Sequence, residues 1–387
     1  MQIRPITGSE RFESALISMT AFHGHTDDLE KMRSRKEEHP ADDWGAFDED
    51  GTLMAHLVCD HYTGNLGDKK VALQGIGAVS TLPEYRHGGG VRGLFDAVLP
   101  YSFARGEVLS LLYPFSHAFY RKFGYETAAY RWIFSFEPAM MRPFSCKERV
   151  KLWNPGDSIA DIERIYAEFS AAYQLAFDRS GEDFCHGMLR GEWWKDRRFV
   201  YILGDTPCAY IVFEDVREGR DKIMKVSECA WSSPEGFRLA LGFLNRFDRD
   251  YSRIILPMPT GLDLRVLALD PGQVDVVPDE FQMVRVVNVQ KALECIAPPE
   301  ASFTLLVSGD AQIAQNNGLW QVNQGAVCKI EGENADLEAD IHGLSLLVSG
   351  SMGLREALLR GGVRLNGNAQ TLFDVFRAKP LYVGDHF

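Results

Sequence analysis

The residues best placed to do chemistry form one run: Val79-Ser80-Thr81-Leu82-Pro83-Glu84-Tyr85-Arg86-His87-Gly88-Gly89-Gly90-Val91-Arg92-Gly93. A strand ends, glycines follow and a helix begins. Free amides at a helix N-terminus attract anions, and glycine lets a phosphate oxygen approach the backbone closely. Three readings of the run stand side by side. Gly88, Gly90 and Gly93 match G-x-G-x-x-G, the dinucleotide-binding pattern. That pattern wants a strand directly before the glycines and an acidic residue at the end of the next strand, and both are missing here. A plain glycine-rich turn is the second reading. The third takes the spacing of Arg86, Gly89 and Val91 as the opening of a phosphate-binding helix.

Tyr120 is the next candidate, within Phe119-Tyr120-Arg121-Lys122-Phe123-Gly124-Tyr125-Glu126. A phenol with an ordinary pKa near 10 can protonate a leaving thiolate, and it can equally pack in a core. Ser116 and His117 lie just before it. His23 and His25 alternate like a ligand pair, but no third donor accompanies them, so no metal is expected. Asp27, Asp28 and Glu30 read most simply as acids in the first turn of a helix. Trp193, Trp194 and Phe177 read as packing between domains. The seven cysteines, at 59, 146, 185, 208, 229, 295 and 328, include no C-x-x-C pair, which fits a reduced chain. None lies in the glycine run or the Phe-Tyr segment, so no covalent nucleophile is evident there.

These side chains need a frame. Alternation predicts a strand over 3–6, and a 3.6-residue period predicts a helix over 9–22 with Phe12, Leu16 and Met19 on one face. A charged helix starts near 26 and ends before Pro40. Strands over 44–48, 52–62 and 69–81 are joined by Asp48-Glu49-Asp50-Gly51 and Gly64-Asn65-Leu66-Gly67-Asp68, which makes an antiparallel meander. A helix over 89–105, a strand over 108–113, a short helix over 116–123 and a strand over 125–136 complete the order βααβββαβαβ.

Residues 200–257 repeat the middle of that order, with strands at 199–203, 208–214 and 222–231, a helix at 234–247 and a strand at 253–257. In place of the glycine run the second copy has Ser232-Ser233-Pro234-Glu235-Gly236. Pro234 has no amide and Glu235 sets negative charge where an anion would sit, so this copy has lost anion binding. After Pro298-Pro299, strands over 303–308, 319–323, 326–330 and 336–341 and helices over 354–359 and 370–376 make a compact α+β unit.

The third reading of the glycine run resembles the motif that opens the main helix of GCN5-related N-acetyltransferases: Arg or Gln, two residues, Gly, one residue, a small residue. The element order and the Phe-Tyr segment are similar to that superfamily as well. Over nearly the whole chain the sequence resembles the Eis-type (enhanced intracellular survival) acetyltransferases. The likeness rests on Leu82-Pro83-Glu84-Tyr85-Arg86, on Pro114-Phe115-Ser116, on Met283-Val284-Arg285-Val286-Val287-Asn288-Val289 followed by Ala292-Leu293, and on a terminal Phe387. Two departures are His87 and Gly88, where basic residues are common, and His386, where some relatives have Glu.

The resemblance implies an α/β (α+β) chain of two tandem acetyltransferase-like domains, over 1–137 and, degenerate, 138–298. A sterol-carrier-like domain over 299–387 follows. It implies an acetyl-CoA-dependent N-acetyltransferase acting directly on a primary amine, without an acyl-enzyme. Acetyl-CoA would be held by Val79, Ser80, Thr81, Arg86, His87, Gly88, Gly89, Gly90, Val91, Arg92 and Ser116. Tyr120 would be the general acid, and the α-carboxylate of Phe387 the general base. The acid-bearing region around Asp27 would border the acceptor site. A homo-oligomer, a hexamer in the family, is implied too.

Composition sets the outer bounds. A chain of 387 residues suits two or three domains. Lys plus Arg number 41 against 54 Asp plus Glu, a net charge of −13, and no basic run relieves it. Such a surface repels nucleic acid and suits a cationic or neutral small molecule. Together with the acids Asp27, Asp28 and Glu30, the resemblance to the Eis-type enzymes narrows this to an aminoglycoside- or polyamine-like amine. Met1-Gln2-Ile3-Arg4-Pro5 lacks the apolar stretch of a signal peptide, and no apolar run approaches the roughly 18 residues of a membrane span. A cytoplasmic protein without membrane or nucleic-acid partners is expected. The rival class is a non-catalytic CoA- or lipid-binding protein, against which Glu331, Glu333, Asp336 and Glu338 among the last strands weigh.

Overall fold

The structure is a computed structural model that describes residues 1–22, 42–154, 156–179, 198–279 and 282–385. Contacts divide the chain into two units, Met1–Ala128 with Gln282–Ala378, and Ala129–Phe281 with Lys379–His386.

The first unit begins with strand β1 (Gln2–Pro5), helix α1 (Arg11–Phe22), and strands β2 (Asp42–Phe47), β3 (Leu53–Leu66) and β4 (Lys69–Thr81). Helix α2 (Gly90–Arg105), strand β5 (Leu109–Leu112), the short helix α3 (His117–Tyr120) and strand β6 (Glu126–Ala129) follow. The expected meander is present: β1 to β4 pair in antiparallel succession. β3 and β4 turn at Gly67, whose φ is +60 and where a Cβ would strike the carbonyl of Cys295. Helix α2 stops at Gly106, φ +86, the left-handed residue that glycine adopts freely. Leu94, Phe95, Val98 and Leu99 of α2 are buried with Ala55, Leu57 and Cys59 of β3 in one apolar cluster.

Three expectations are corrected here. The helical face of α1 toward the sheet carries Ser14 and Ile17, while Leu16 is 43% exposed. The segment expected as one strand over 125–136 is broken after Ala129. Its second half, strand β7 (Trp132–Phe136), belongs to the other unit's sheet. The first sheet is completed instead by strand β14 (Gln282–Val286), giving the order β1-β2-β3-β4-β5-β14-β6. β14 pairs antiparallel with β5, Met283 opposite Leu112 and Val286 opposite Leu109, so a segment read with the second domain lies in the first sheet.

The second unit holds strand β8 (Val150–Leu152), helix α4 (Ala160–Ser170), strands β9 (Arg198–Leu203), β10 (Ala209–Glu218) and β11 (Asp221–Trp231), helix α5 (Pro234–Asn245), and strands β12 (Arg253–Met258) and β13 (Val274–Pro278). Its sheet runs β13-β7-β12-β11-β10-β9-β8. Strands, helix and strand recur in the same order and pairing as β3-β4-α2-β5, which is the repeat expected from sequence.

Back in the first unit, helix α6 (Val289–Ile296) leads to strands β15 (Ser302–Ser308), β16 (Gly318–Asn323), β17 (Ala326–Ile330) and β18 (Leu337–Asp340). Helices α7 (Ile341–Ser349) and α8 (Leu354–Arg360), strand β19 (Val363–Leu365) and helix α9 (Ala369–Val375) close it, around a sheet ordered β17-β16-β15-β18-β19. Helix α7 was not expected. Gly343 through Ser349 are all buried, and a helix surrounded by core shows no amphipathic period. Asp340 caps it, accepting from the Gly343 amide at 2.6 Å. Among the described residues no helix is long and apolar enough to cross a membrane.

Candidate active site

The site is built where β4 and β5 part. Their parallel ladder ends at Ile76 opposite Leu112, so along residues 77–81 the β5-facing edge of β4 is open. On the other side of β4 the register with β3 slips. His56 lies opposite Ser80 but Val58 opposite Gly77, which leaves one extra residue on β4. Ala78 takes the strain with φ +52, a conformation that costs a residue with a Cβ about 1–2 kcal/mol. Ser80 is buried, and its hydroxyl donates to the Ala78 carbonyl at 2.9 Å. Val79 is half-buried, and Thr81 pairs with Ala55. A bulge here re-aims backbone groups toward the open edge. Sequence reasoning missed Ala78, although Gly75 and Gly77 within the strand are the usual mark of a bulge.

The glycine run divides its labour. Pro83–Tyr85 form a single 3-10 turn, and His87 and Gly89 have φ +68 and +83. Gly89 is the residue before α2 and no side chain caps the helix, so its first amides are left to a ligand or solvent. A Cβ on Gly89 would meet nothing within 4 Å, as a cradle for a bound group requires. Gly90 serves packing: a Cβ there would sit 3.3 Å from that of Ala55 and 3.5 Å from that of Ala46. Arg86, His87, Gly88 and Arg92 are exposed, with Val91 half-buried behind them. Among the described residues Arg86 and Arg92 make no ion pair. An extended ligand with a pyrophosphate fits these elements: an open strand edge for its arm, an uncapped helix end for its charge.

Tyr120 is 2% exposed and packs at ring distances of 5.9 Å from Phe95 and 5.2 Å from Phe119. Val79 and Val91 pack against the same cluster, which brings the tyrosine to the glycine run. Burial pushes its phenol pKa up, so it is protonated at neutral pH. Among the described residues its hydroxyl has no hydrogen-bond partner. Ser116 caps α3, accepting from the Phe119 amide at 3.3 Å. Arg285, fully buried on β14, donates to the Phe123 carbonyl and, at 2.6 Å, to Asp310. It ties the end of the Phe-Tyr segment to the C-terminal domain, a role its position inside a recognised motif did not disclose. His56 is a further residue that sequence reasoning missed. Opposite Ser80 and 2.7 Å from the Ser18 hydroxyl, it is pushed down to about 4 by burial and is therefore neutral. A lone histidine inside a strand gave no signal. His23, His25, Asp27, Asp28, Glu30, Trp193, Trp194, His386 and Phe387 lie outside the described residues.

Residues 2–128 match the acetyltransferase (GNAT) domain family and residues 289–383 the sterol carrier protein domain family. The first match fits the site just described and makes this an acetyl-CoA-dependent N-acetyltransferase. No curated protein sequence matches the chain. Solved structures match it end to end. A GCN5-related N-acetyltransferase from Anabaena variabilis is 20% identical with a TM-score of 0.86 and 100% of both chains covered. A probable N-acyltransferase from Enterococcus faecalis is 19% identical at 0.84, covering 98% of this chain and 97% of the other. Eis1 from Mycobacterium abscessus is 19% identical at 0.82, with both chains fully covered. With a GNAT domain at one end and a sterol carrier protein domain at the other, the chain shares the fold of these three structures along its length.

Proposed function

We infer that the chain transfers acetyl from acetyl-CoA directly to a primary amine of a small cationic acceptor, aminoglycoside- or polyamine-like. The observation that carries this reading is the open, bulged edge of β4 meeting an uncapped helix N-terminus beside a buried tyrosine. Acetyl-CoA supplies an acyl group activated by a thiol leaving group. The amides of residues 87–92 hold its pyrophosphate, with Arg86 and Arg92 at hand, and the backbone of Val79, Ser80 and Thr81 pairs with its extended arm. An amide at this edge also steadies the charge that grows on the carbonyl oxygen. Tyr120 keeps its proton until the thiolate departs and then donates it.

An amine acceptor is protonated at neutral pH and must lose a proton to attack. The α-carboxylate of Phe387 takes that proton in this proposal, on the strength of the family resemblance. Cys59, the thiol in the Tyr120 cluster, is fully buried, and burial and nearby acids push its pKa up, so it supplies no nucleophile and the transfer is direct. The net charge of −13 favours a cationic acceptor. A catalytic, a degenerate and a sterol-carrier-like domain in chain order, a cytoplasmic location and a homo-oligomeric assembly complete the proposal.

The test is acetyl-CoA turnover across a panel of polyamines, aminoglycosides and neutral arylamines. The parent chain is run beside Tyr120→Phe and a chain with two residues added after Phe387. Both variants should bind acetyl-CoA normally and lose about 10²–10⁴ in kcat, the range for a general acid or base. Parent-rate turnover by the extended chain excludes Phe387 as the base. Equal turnover of neutral and cationic amines at every ionic strength excludes the acceptor class.

A further inference from the structure

The second unit repeats the open strand edge of the first. The parallel ladder of β11 and β12 ends at Lys225 opposite Ile255. Two residues on, Ser227 is the extra residue of a bulge, with Val212 opposite Glu228 and Phe213 opposite Val226. Counted from the last ladder pair, Lys225 corresponds to Ile76 and Glu228 to Val79, the residue proposed to face the ligand's arm. A cavity of about 590 Å³ opens at this edge between Glu228 and Pro257, and its wall includes Gly384 and Asp385 from the chain's own tail.

That tail is fastened along its length. The Gln174 amide donates to the Pro380 carbonyl at 3.0 Å and the Tyr382 amide to the Gln174 carbonyl at 3.1 Å. The Leu381 amide donates to the Thr260 hydroxyl at 2.9 Å, and the Tyr382 hydroxyl donates to Glu228 at 3.0 Å. Arg179 grips Asp385 with both arms of its fork, Nε to Oδ1 at 2.7 Å and Nη2 to Oδ2 at 3.1 Å. Its remaining nitrogen Nη1 donates to Glu228 at 2.9 Å, and its guanidinium lies 4.1 Å above the Tyr166 ring. The side chains of Arg179 and Glu228 are 6% and 4% exposed. A charge pair this deeply buried strands a charge when it opens, so it holds its geometry, and a bidentate fork fixes orientation as well as distance.

We propose that Arg179, held by Glu228, is a positioning residue that seats the C-terminal tail through Asp385 in the open strand edge of the second domain, and so fixes the end of the chain for its work as the base. The proposal rests on the reading of Phe387 as that base. At about 3.5 Å per residue, a point two residues past Asp385 is confined by chain length to within about 7 Å of a fixed Asp385; with Tyr382 the last fixed residue the limit is about 17 Å. The volume ratio makes the terminal carboxylate roughly tenfold more dilute at any one point once the grip on Asp385 is lost.

Asp385→Ala is the variant of choice, because it leaves Arg179 paired with Glu228, whereas loss of Arg179 would strand Glu228 and threaten the fold. In the full-length protein it is compared with Asp385→Glu and with a chain lacking Phe387. The readouts are kcat, KM for acetyl-CoA, and the rate at which carboxypeptidase trims the native terminus. Asp385→Ala should lower kcat about tenfold, leave KM for acetyl-CoA within about twofold, and speed trimming about tenfold, with Asp385→Glu restoring most of each. Unchanged trimming in Asp385→Ala overturns the latch. Faster trimming with parent kcat overturns the positioning role when the chain lacking Phe387 is inactive. If that shortened chain keeps the parent rate, the terminal-base reading fails, and the trimming rate alone decides whether Arg179 holds the tail.

Discussion

Replacing Gly89 separates the shape of the anion loop from its charge. Gly89 has φ +83 and open space where a Cβ would stand. Gly89→Ala therefore carries only the left-handed backbone cost, about 1–2 kcal/mol of stability, with no clash added. Gly89→Glu carries the same cost and adds a carboxylate at the N-terminus of α2, about 5 Å from a phosphate gripped by the helix amides. Coulomb's law at that distance, with an effective dielectric between about 20 and 80, gives about 1–3 kcal/mol per charge pair. Since about 1.4 kcal/mol is tenfold in affinity, Gly89→Glu should bind acetyl-CoA roughly 10- to 100-fold more weakly than Gly89→Ala. Calorimetry on both variants at low salt measures the gap, and repeating it near 1 M salt, where the Debye length is about 3 Å, should narrow it. Equal affinities at low salt would refute the assignment of the pyrophosphate to these amides, whatever the two stabilities.

Three further outcomes follow from named contacts. His61 on β3 sits 2.5 Å from Glu107 and 3.0 Å from Asp42, and its pKa is raised, first by the Glu107 hydrogen bond, against burial and Arg105. The stability it contributes is complete below about pH 6.5 and is lost as pH rises through the folded-state value, so His61→Gln should flatten the urea midpoint between pH 6 and 9; an unchanged slope there rules His61 out as its source. Arg285→Met leaves Asp310 buried without its cation, which costs about 3–5 kcal/mol. At about 2–4 °C per kcal/mol for a domain of this size, the thermal midpoint should fall by about 6–20 °C, and a fall under about 2 °C counts against the strut. Titration should give one acetyl-CoA per chain, and a second molecule bound near residues 232–236 would contradict the loss of anion binding there.

Local chemistry was legible in the sequence, and long-range pairing was not. The glycine run, the hairpin at Gly67 and the five elements of the second copy announce themselves through turn residues, caps and periodicity within a few positions. The break between Ala129 and Trp132 does not. Strands β6 and β7 lie in different sheets, yet only Tyr130 and Arg131 separate them, and neither is a glycine or proline that would mark a turn. β14 reads as a strand from its own residues, but its neighbour β5 is more than a hundred positions away, and no periodicity names a partner at that distance. The same holds for Arg285, whose meaning is Asp310 and the Phe123 carbonyl. Helix α7 failed for the opposite reason: buried on every side, it lacks the polar face that would have marked its period.

The two copies show what makes one sheet a binding site and the other a scaffold. Both have the parted parallel strands, and both have the bulge two or three residues beyond the last ladder pair. They differ in where their backbone hydrogen bonds go. In the first, residues 82–89 hold α2 away from its strand and leave its amides uncapped. In the second, Trp231 is followed almost at once by α5: the Ser232 amide donates to the Cys208 carbonyl at 2.9 Å, Pro234 has no amide to give, and the Gly236 amide donates to the Ser233 hydroxyl at 3.1 Å. Gly236 presses so close to Cys208 that a Cβ would strike its carbonyl, leaving no room for a phosphate. Buried polar groups are nearly always satisfied, so a fold that satisfies them internally has closed the site, and one that leaves a row of them open needs a ligand to finish it. Ser233, Pro234 and Glu235 close the second copy, and the glycines from 88 to 90 keep the first one open.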